Sequence, residues 1–173
     1  NALFRHPAIS AMRDRNEELP LEARAFDSGM NYVSLGGQIG CFVIGAGMAM
    51  ATMDAIKAYG EEPANFLDCG SKTSSADAEE AFNIILAECG AKGILVNIFG
   101  GITQLDSIAE GIVLAMRKNA VSIPVVARLE GTNGDLANEI LKSSGLGITL
   151  ASSLTGGVEN IVRLVREREA NVG

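Results

Sequence analysis

Short runs of aliphatic residues alternate with amphipathic stretches along the chain from residue 31 onward. The runs cover residues 41–47, 64–70, 93–101, 123–131 and 147–153. Strands that are apolar at nearly every position are buried on both faces, which requires helices on both sides of a parallel sheet. The pattern therefore predicts an α/β fold: a flavodoxin-like, doubly wound parallel sheet of five strands.

Helical spacing follows each of these runs, because apolar residues recur three and four positions apart. In the first helix the spacing predicts a buried face made of Met48, Ala51, Ala55 and Ala58. In the third helix it predicts one made of Ile108, Ile112, Ala115 and Met116. The other helices are predicted within residues 76–88, 135–143 and 158–168.

Five such units favour the strand order 2-1-3-4-5, in which the winding direction reverses between the first and third strands. Ligands of such sheets bind at this switch point, beyond the carboxyl ends of the strands. The loops at that point are GAG (45–47) and FGGI (99–102). We therefore expect two glycine-rich strand ends to face each other across one crevice.

Two segments precede the first unit. Residues 1–30 carry two prolines, many charges and little apolar periodicity, which is typical of a leader or linker with at most one short helix. Two extended runs then flank Gly36 and Gly37, and this pattern predicts a hairpin strand ahead of the parallel sheet. Residues 31–173 are predicted to form the domain itself.

Composition narrows the range of functions. The 173 residues suit one domain, and the net charge of −7, without a basic cluster, argues against nucleic-acid binding. No apolar stretch is long enough for a membrane span, so a soluble chain is expected. Three scattered cysteines suggest neither a disulfide framework nor a metal site. The single histidine, His6, lies in the leader, so no Ser-His-Asp or Cys-His set can be assembled.

The segment Gly100-Gly101-Ile102-Thr103 is the first candidate site. Glycines at a strand end allow a ligand to approach the backbone closely, and the start of the next helix offers free amides and a partial positive charge. An anion cradle is one interpretation. The other is a capping box in which Thr103 and Asp106 satisfy the same amides without a ligand.

Three further features admit two interpretations each. Gly45 and Gly47 follow a strand, and Asp68 ends the next one, which fits either a dinucleotide site or a tight turn. The segment CGSKTSS (69–75) is an incomplete phosphate loop that also fits a capping box formed by Ser74 and Asp77. Arg128, at the end of the fourth strand, is placed to bind a carboxylate or phosphate, or to pair with Glu130 or a partner chain.

Four blocks of the sequence carry a family resemblance that covers essentially the whole chain. In this order and spacing they resemble the C-terminal part of the β subunits of succinyl-CoA synthetases, the ADP-forming succinate–CoA ligases. The β subunits of malate–CoA ligases share the same blocks. The blocks are NALFRHP (1–7), GAGMAMATMDAIKAYGEEPANFLD (45–68), ILVNIFGGI (94–102) and VARLEGTN (126–133).

The resemblance implies a part in acid–CoA ligation within an αβ complex of the tricarboxylic acid cycle. In the family, a nucleotide charges a histidine of the α subunit, the phosphate passes to the acid, and CoA displaces it. The β subunit binds ATP or GTP and magnesium in an N-terminal ATP-grasp domain, which would precede the leader at residues 1–30. This domain itself would bind no cofactor or metal and supply no catalytic residue, so alone it is expected to be inactive.

The resemblance also implies where the site lies. The family domain docks on the α subunit and directs a helix N-terminus at the phosphohistidine, which corresponds here to the segment Gly100, Gly101, Ile102 and Thr103. Gly45 and Gly47 would shape the opposite wall. The implied partners are the α subunit, a small carboxylic acid and phosphate, without nucleic acid or membrane. The implied compartment is the bacterial cytoplasm or the mitochondrial matrix.

Three departures from the family pattern surround this one crevice. Ile44 stands where the family usually has an asparagine that contacts the acid, and Gln104 stands where it has an arginine. Ser71-Lys72-Thr73 replaces part of a glycine-rich loop. These changes suggest another acid or weakened activity. The alternatives are a non-catalytic assembly module and a dinucleotide-binding domain.

Overall fold

The computed structural model describes residues 19–88 and 90–172. Helices and strands are labelled here in chain order. The strands are β1 (Asn31–Ser34), β2 (Ile39–Val43), β3 (Asn65–Asp68), β4 (Gly93–Gly100), β5 (Val125–Gly131) and β6 (Thr149–Leu150). The helices are α1 (Pro20–Asp27), α2 (Ala46–Ala58), α3 (Ser75–Leu86), α4 (Leu105–Lys118), α5 (Gly134–Ser143) and α6 (Leu154–Val172).

One sheet contains all six strands of the described residues, in the order β1-β3-β2-β4-β5-β6. β3, β2, β4, β5 and β6 are parallel, and β1 joins the edge antiparallel to β3. The five predicted strands therefore have the predicted order 2-1-3-4-5. The doubly wound fold expected from the sequence is confirmed.

Two apolar clusters lie on the two faces of the sheet. Side chains of α3, α4 and α5 pack with Ile94, Val96 and Ile98 of β4 on one face. Side chains of α2 and α6 pack with Leu95 of the same strand on the other. Alternate residues of β4 thus point to opposite helical layers, which explains why the strand is apolar at nearly every position.

The predicted hairpin around Gly36 and Gly37 is wrong. β1 pairs with β3, in the register Tyr32↔Leu67, and β2 emerges on the far side of β3. Glycine instead allows the backbone to pass close to residues 62–64. A Cβ on Gly37 would lie 2.3 Å from the carbonyl oxygen of Glu62, and this oxygen accepts hydrogen bonds from the amides of residues 38 and 39.

The predicted buried face of the first helix is confirmed only in part. Met48 and Ala55 are partly buried against the core, whereas Ala51 and Ala58 are exposed. The buried residues of α2 are Ala49, Thr52 and Ile56. Thr52 faces the sheet because its hydroxyl has two hydrogen-bond partners there. A polar residue therefore occupies a position for which the sequence pattern favoured an apolar one. In α4 the predicted face is confirmed, since Ile108, Ile112, Ala115 and Met116 are all buried.

The leader is described only from residue 19 onward, and α1 is the short helix expected in it. Its Ala25 is buried against the sheet, together with Met30. His6 and the block NALFRHP lie outside the described residues. The boundary at residue 30 and the ATP-grasp domain ahead of it stay predictions. In the described part of the chain, no helix has both the length and the apolar character to cross a membrane.

Candidate functional site

The two glycine-rich loops begin on neighbouring strands. β2 and β4 pair directly, with Val43 opposite Asn97 near their carboxyl ends. The chain then leaves β2 into α2 on one face and leaves β4 into α4 on the other. The predicted switch point is therefore present, and the loops at residues 45–47 and 99–102 begin on either side of it.

The turn after β2 requires a glycine at its first position. Gly45 has φ 96°, a left-handed conformation that side chains rarely adopt, and it precedes the first residue of α2. Its amide donates a 2.8 Å hydrogen bond to Oδ1 of Asp68, and the amide of Gly70 donates one of 3.0 Å to the same oxygen. Asp68 thus ties together the loops after β2 and β3, which is evidence against its binding a ribose.

The other two residues predicted to lie on this side of the site differ in burial. Ile44 is 8% exposed, and its side chain belongs to the apolar core. Gly47 is exposed in the first turn of α2, and a Cβ placed on it would meet no atom within 4 Å. The fold therefore requires glycine at 45 but not at 47.

The loop after β4 differs from the capping-box prediction. α4 begins at Leu105, with Gln104 as a cap that makes no side-chain hydrogen bond. The hydroxyl of Thr103, which is 3% exposed, donates instead to the carbonyl oxygen of Ser71 at 3.0 Å. Asp106 accepts a hydrogen bond from Asn133. A capping box of Thr103 and Asp106 is therefore wrong, because both side chains bond to other loops.

The backbone of this loop keeps its amides free. Among the described residues, none accepts a hydrogen bond from the amides of Gly101, Ile102 or Thr103. The side chain of Ile102 is 79% exposed. Three successive donors next to the start of a helix can bind a phosphate or carboxylate.

Thr132, in the loop after β5, makes three hydrogen bonds to this backbone. Its amide donates to the carbonyl oxygen of Gly100 at 3.2 Å, and its hydroxyl donates to that of Gly101 at 2.9 Å. Its own carbonyl oxygen accepts from the amide of Leu105 at 3.1 Å. Gly131 permits the approach, because a Cβ there would lie 1.9 Å from the Gly100 oxygen. Thr132 was not among the predicted site residues, although it lies in the block 126–133.

The loop after β3 carries the capping box predicted for it. The Ser74 hydroxyl accepts from the amide of Asp77 at 3.2 Å, and the Asp77 carboxylate accepts from the amide of Ser74 at 2.9 Å. Thr73 is buried and bonds to the carbonyl oxygens of Cys69 and Gly70. Burial, with the nearby carboxylates of Asp68 and Asp77, raises the pKa of the Cys69 thiol, so this cysteine is protonated at neutral pH.

Arg128 ends in a partly buried polar network. Its guanidinium pairs with Glu130, donates a 3.1 Å hydrogen bond to Oδ1 of Asn97, and lies 5.8 Å from the ring centre of Phe99. Asn97 in turn donates to the Thr52 hydroxyl at 2.8 Å. The predicted pair with Glu130 is confirmed. Asn97 and Thr52 were missed, because single polar residues inside apolar patterns give no signal of their partners.

A groove of about 800 Å³ lies at the carboxyl end of β5. Its walls are the end of β5, the start of α5 and β6, and they include Arg128, Glu130, Asn133, Asp135 and Ser152. The groove does not coincide with the predicted crevice at β2 and β4. In the described part of the chain, no three His, Cys, Asp or Glu residues are grouped to hold a metal ion.

A sequence profile of the CoA-ligase family matches residues 42–160. The β subunit of succinate–CoA ligase [ADP-forming] from Geobacillus thermodenitrificans is 55% identical over 166 residues, which are 96% of this chain and 43% of that protein. The subunit of the same name from Phenylobacterium zucineum is 53% identical, over 96% of this chain and 42% of its own length. The resemblance in the sequence is confirmed, and the chain spans less than half the length of these relatives.

Two solved structures share the fold. ATP citrate lyase from Methanothrix soehngenii, in complex with citrate and coenzyme A, superposes with a TM-score of 0.76 at 17% identity, over 84% of this chain and 46% of that one. Methanosaeta concilii ATP citrate lyase, in complex with (3S)-citryl-CoA, gives 0.67 at 19% identity, over 90% and 44%. At such identities the likeness concerns the architecture alone.

Proposed function

The chain belongs to the CoA-ligase family, and from this premise we propose that it is part of the β subunit of an ADP-forming carboxylic acid–CoA ligase that uses succinate or a related acid. The observation that carries the proposal is the 55% identity to a succinate–CoA ligase β subunit across 96% of the chain. The nucleotide, magnesium and CoA would bind elsewhere in the complex. The α subunit would be the partner, in the bacterial cytoplasm or the mitochondrial matrix.

In this proposal the loop after β4 binds the phosphate or the acid carboxylate. The support is the set of free amides at Gly101, Ile102 and Thr103, next to the start of a helix of 14 residues. The partial positive charge at a helix start stabilises an anion by roughly 0.3–1 kcal/mol, and more where the site is partly buried. Because Thr132 and Ser71 hold the loop, its donors are oriented before the ligand arrives.

The opposite wall would be the turn of Gly45 and Gly47. Its glycines leave room for a small acid, whereas Ile44 is apolar and buried beneath it. The side chain at 44 can neither donate nor accept a hydrogen bond, so this wall favours a less polar acid than succinate. We therefore propose the acid separately from the ligase function: it is succinate or a less polar relative.

Turnover by the full-length β subunit with its α subunit tests the function. The assay follows CoA-dependent formation of ADP from ATP with succinate, malate and less polar acids in turn. Turnover with one of these acids is expected. No turnover with any acid, from a complex that assembles, would favour a non-catalytic assembly module, for which the apolar Ile44 and the uncharged Gln104 are the supporting observations.

A dinucleotide-binding domain is the remaining alternative. Its support in the sequence was the pair Gly45 and Gly47 followed by Asp68, but Oδ1 of Asp68 already accepts two backbone amides. Titration of the chain with NADH, followed by fluorescence, distinguishes this function. Saturable binding of NADH would contradict the ligase proposal and support a dinucleotide-binding domain. We expect no saturable binding.

A further inference from the structure

The partly buried network around Arg128 links the two walls of the proposed site. The Thr52 hydroxyl donates a 2.7 Å hydrogen bond to the carbonyl oxygen of Met48, in the first turn of α2. It also accepts one from Asn97 of β4, which accepts one from Arg128 of β5. One continuous chain of contacts therefore runs from the turn that holds Gly45 and Gly47 to the end of β5.

The same guanidinium contacts the other loop directly. It lies 5.8 Å from the ring centre of Phe99, the residue before Gly100. This is within the distance at which a cation and an aromatic ring attract each other. Phe99 is 54% exposed, so packing alone fixes its ring poorly and the contact with Arg128 restrains the strand end.

Stability alone does not explain a largely buried arginine at this position. The Arg128 side chain is only 13% exposed, and its Nε finds no acceptor among the described residues. Burying a charged group with an unsatisfied donor is costly, and apolar residues of similar volume often stabilise a fold better. The arrangement is accounted for if the guanidinium sets the geometry of the loops that it touches.

We propose that Arg128 is a positioning residue that holds the loop after β4 and the turn after β2 in register for the acid or phosphate. The inference deepens the function proposed above and rests on it. Arg128 contacts the ring of Phe99 and the amide of Asn97, and acts on the ligand through the backbone that these residues fix. A lysine at this position keeps the charge but loses the planar fork that serves Asn97, Glu130 and the ring together.

The test uses the full-length β subunit in complex with its α subunit. Arg128→Lys is compared with Arg163→Lys, which alters an exposed pair with Glu167 inside α6. Hydrogen exchange is measured in peptides that cover residues 44–50, 75–86 and 99–105. We expect Arg128→Lys to speed exchange at 44–50 and 99–105 but not at 75–86, and Arg163→Lys to change none of the three.

Kinetics supply the second readout. Misplacement of the loop amides that hydrogen-bond the anion predicts a KM for succinate and for inorganic phosphate raised by roughly tenfold in Arg128→Lys. The KM for nucleotide should be unchanged. Any of three results would overturn the inference. They are unchanged hydrogen exchange, exchange that rises throughout the chain, and a KM for nucleotide that rises together with the KM for the acid. If the wild-type complex turns over no acid, the proposed function fails and the exchange measurement alone decides the inference.

Phe99→Leu keeps the test available if Arg128→Lys fails to fold. It removes only a half-exposed ring and leaves Asn97, Thr52 and Arg128 in place. We expect faster exchange at 99–105 and unchanged exchange at 44–50. Equal acceleration in both peptides, or none in either, would contradict the assigned contacts.

Discussion

The hydroxyl of Thr103 donates a 3.0 Å hydrogen bond to the carbonyl oxygen of Ser71, which fastens the loop after β3 to the loop after β4. The next residue, Lys72, is exposed, and among the described residues it has no ion pair. Arg117 and Lys142 share this property, but they lie in the last turns of α4 and α5, at the amino edge of the sheet. Lys72 is thus an exposed cation in the loop that Thr103 contacts.

Replacement of Lys72 by methionine should weaken binding of the anion. Exposed charge pairs contribute roughly 0.2–1 kcal/mol, so the KM for the acid or phosphate is expected to rise by about two- to fivefold, and less at high salt. Lys142→Met is the matched control, since it removes an equally exposed charge from the opposite edge. Equal effects of the two substitutions on KM would show that only net charge matters.

Gly45 and Gly47 should respond oppositely to alanine. Gly45→Ala forces a side chain to φ 96° and is expected to lower the free energy of unfolding by about 1–2 kcal/mol. Gly47→Ala places a methyl group in open space within the first turn of α2 and should raise that free energy by up to about 1 kcal/mol. Equilibrium urea unfolding measures both.

The same pair tests whether Gly47 lines the site. A more stable Gly47→Ala chain should still give a complex with a higher KM for the acid, because the methyl group narrows the wall. A variant that is more stable and binds the acid as well as the wild type would remove Gly47 from the site.

These glycines show what the sequence could and could not predict. The order of the five parallel strands, and with it the adjacency of β2 and β4, followed from apolar runs and the rules of parallel sheets. The role of each glycine could not be predicted, because glycine residues serve three different structural purposes in this fold. Gly45 needs a left-handed backbone, Gly131 needs a close approach, and Gly47 needs neither for the fold.

The hydrogen-bond network was beyond sequence reasoning for a related reason. Asn97 sits inside a strand and Thr52 inside a helix 45 positions away, and only the folded sheet brings the two side chains to 2.8 Å. The capping prediction for Thr103 failed in the same way, since local spacing cannot reveal that Ser71, 32 positions away, is the partner. Local pairs such as Ser74 and Asp77 were predicted because both partners lie in one turn.

Ile44→Asn should shift selectivity toward succinate. An amide at this position offers a hydrogen bond to a second carboxylate, so kcat/KM for succinate should rise relative to that for less polar acids. Because Ile44 is buried, the substitution should also cost about 1–3 kcal/mol of stability. Ile44→Val is the control for altered packing. A change in selectivity that is the same in both variants would locate specificity elsewhere.

The proposed anion site depends above all on the backbone amide of Gly101. Proline at 101 deletes this donor, whereas alanine keeps it, and neither φ nor nearby atoms oppose a Cβ there. The decisive measurement is phosphate transfer to the acid by the full complex that carries Gly101→Pro, with Gly101→Ala alongside. We expect a loss of about a hundredfold or more for proline, comparable to the removal of an oxyanion donor, and a change within about twofold for alanine. Transfer at the wild-type rate by a folded Gly101→Pro complex would contradict it.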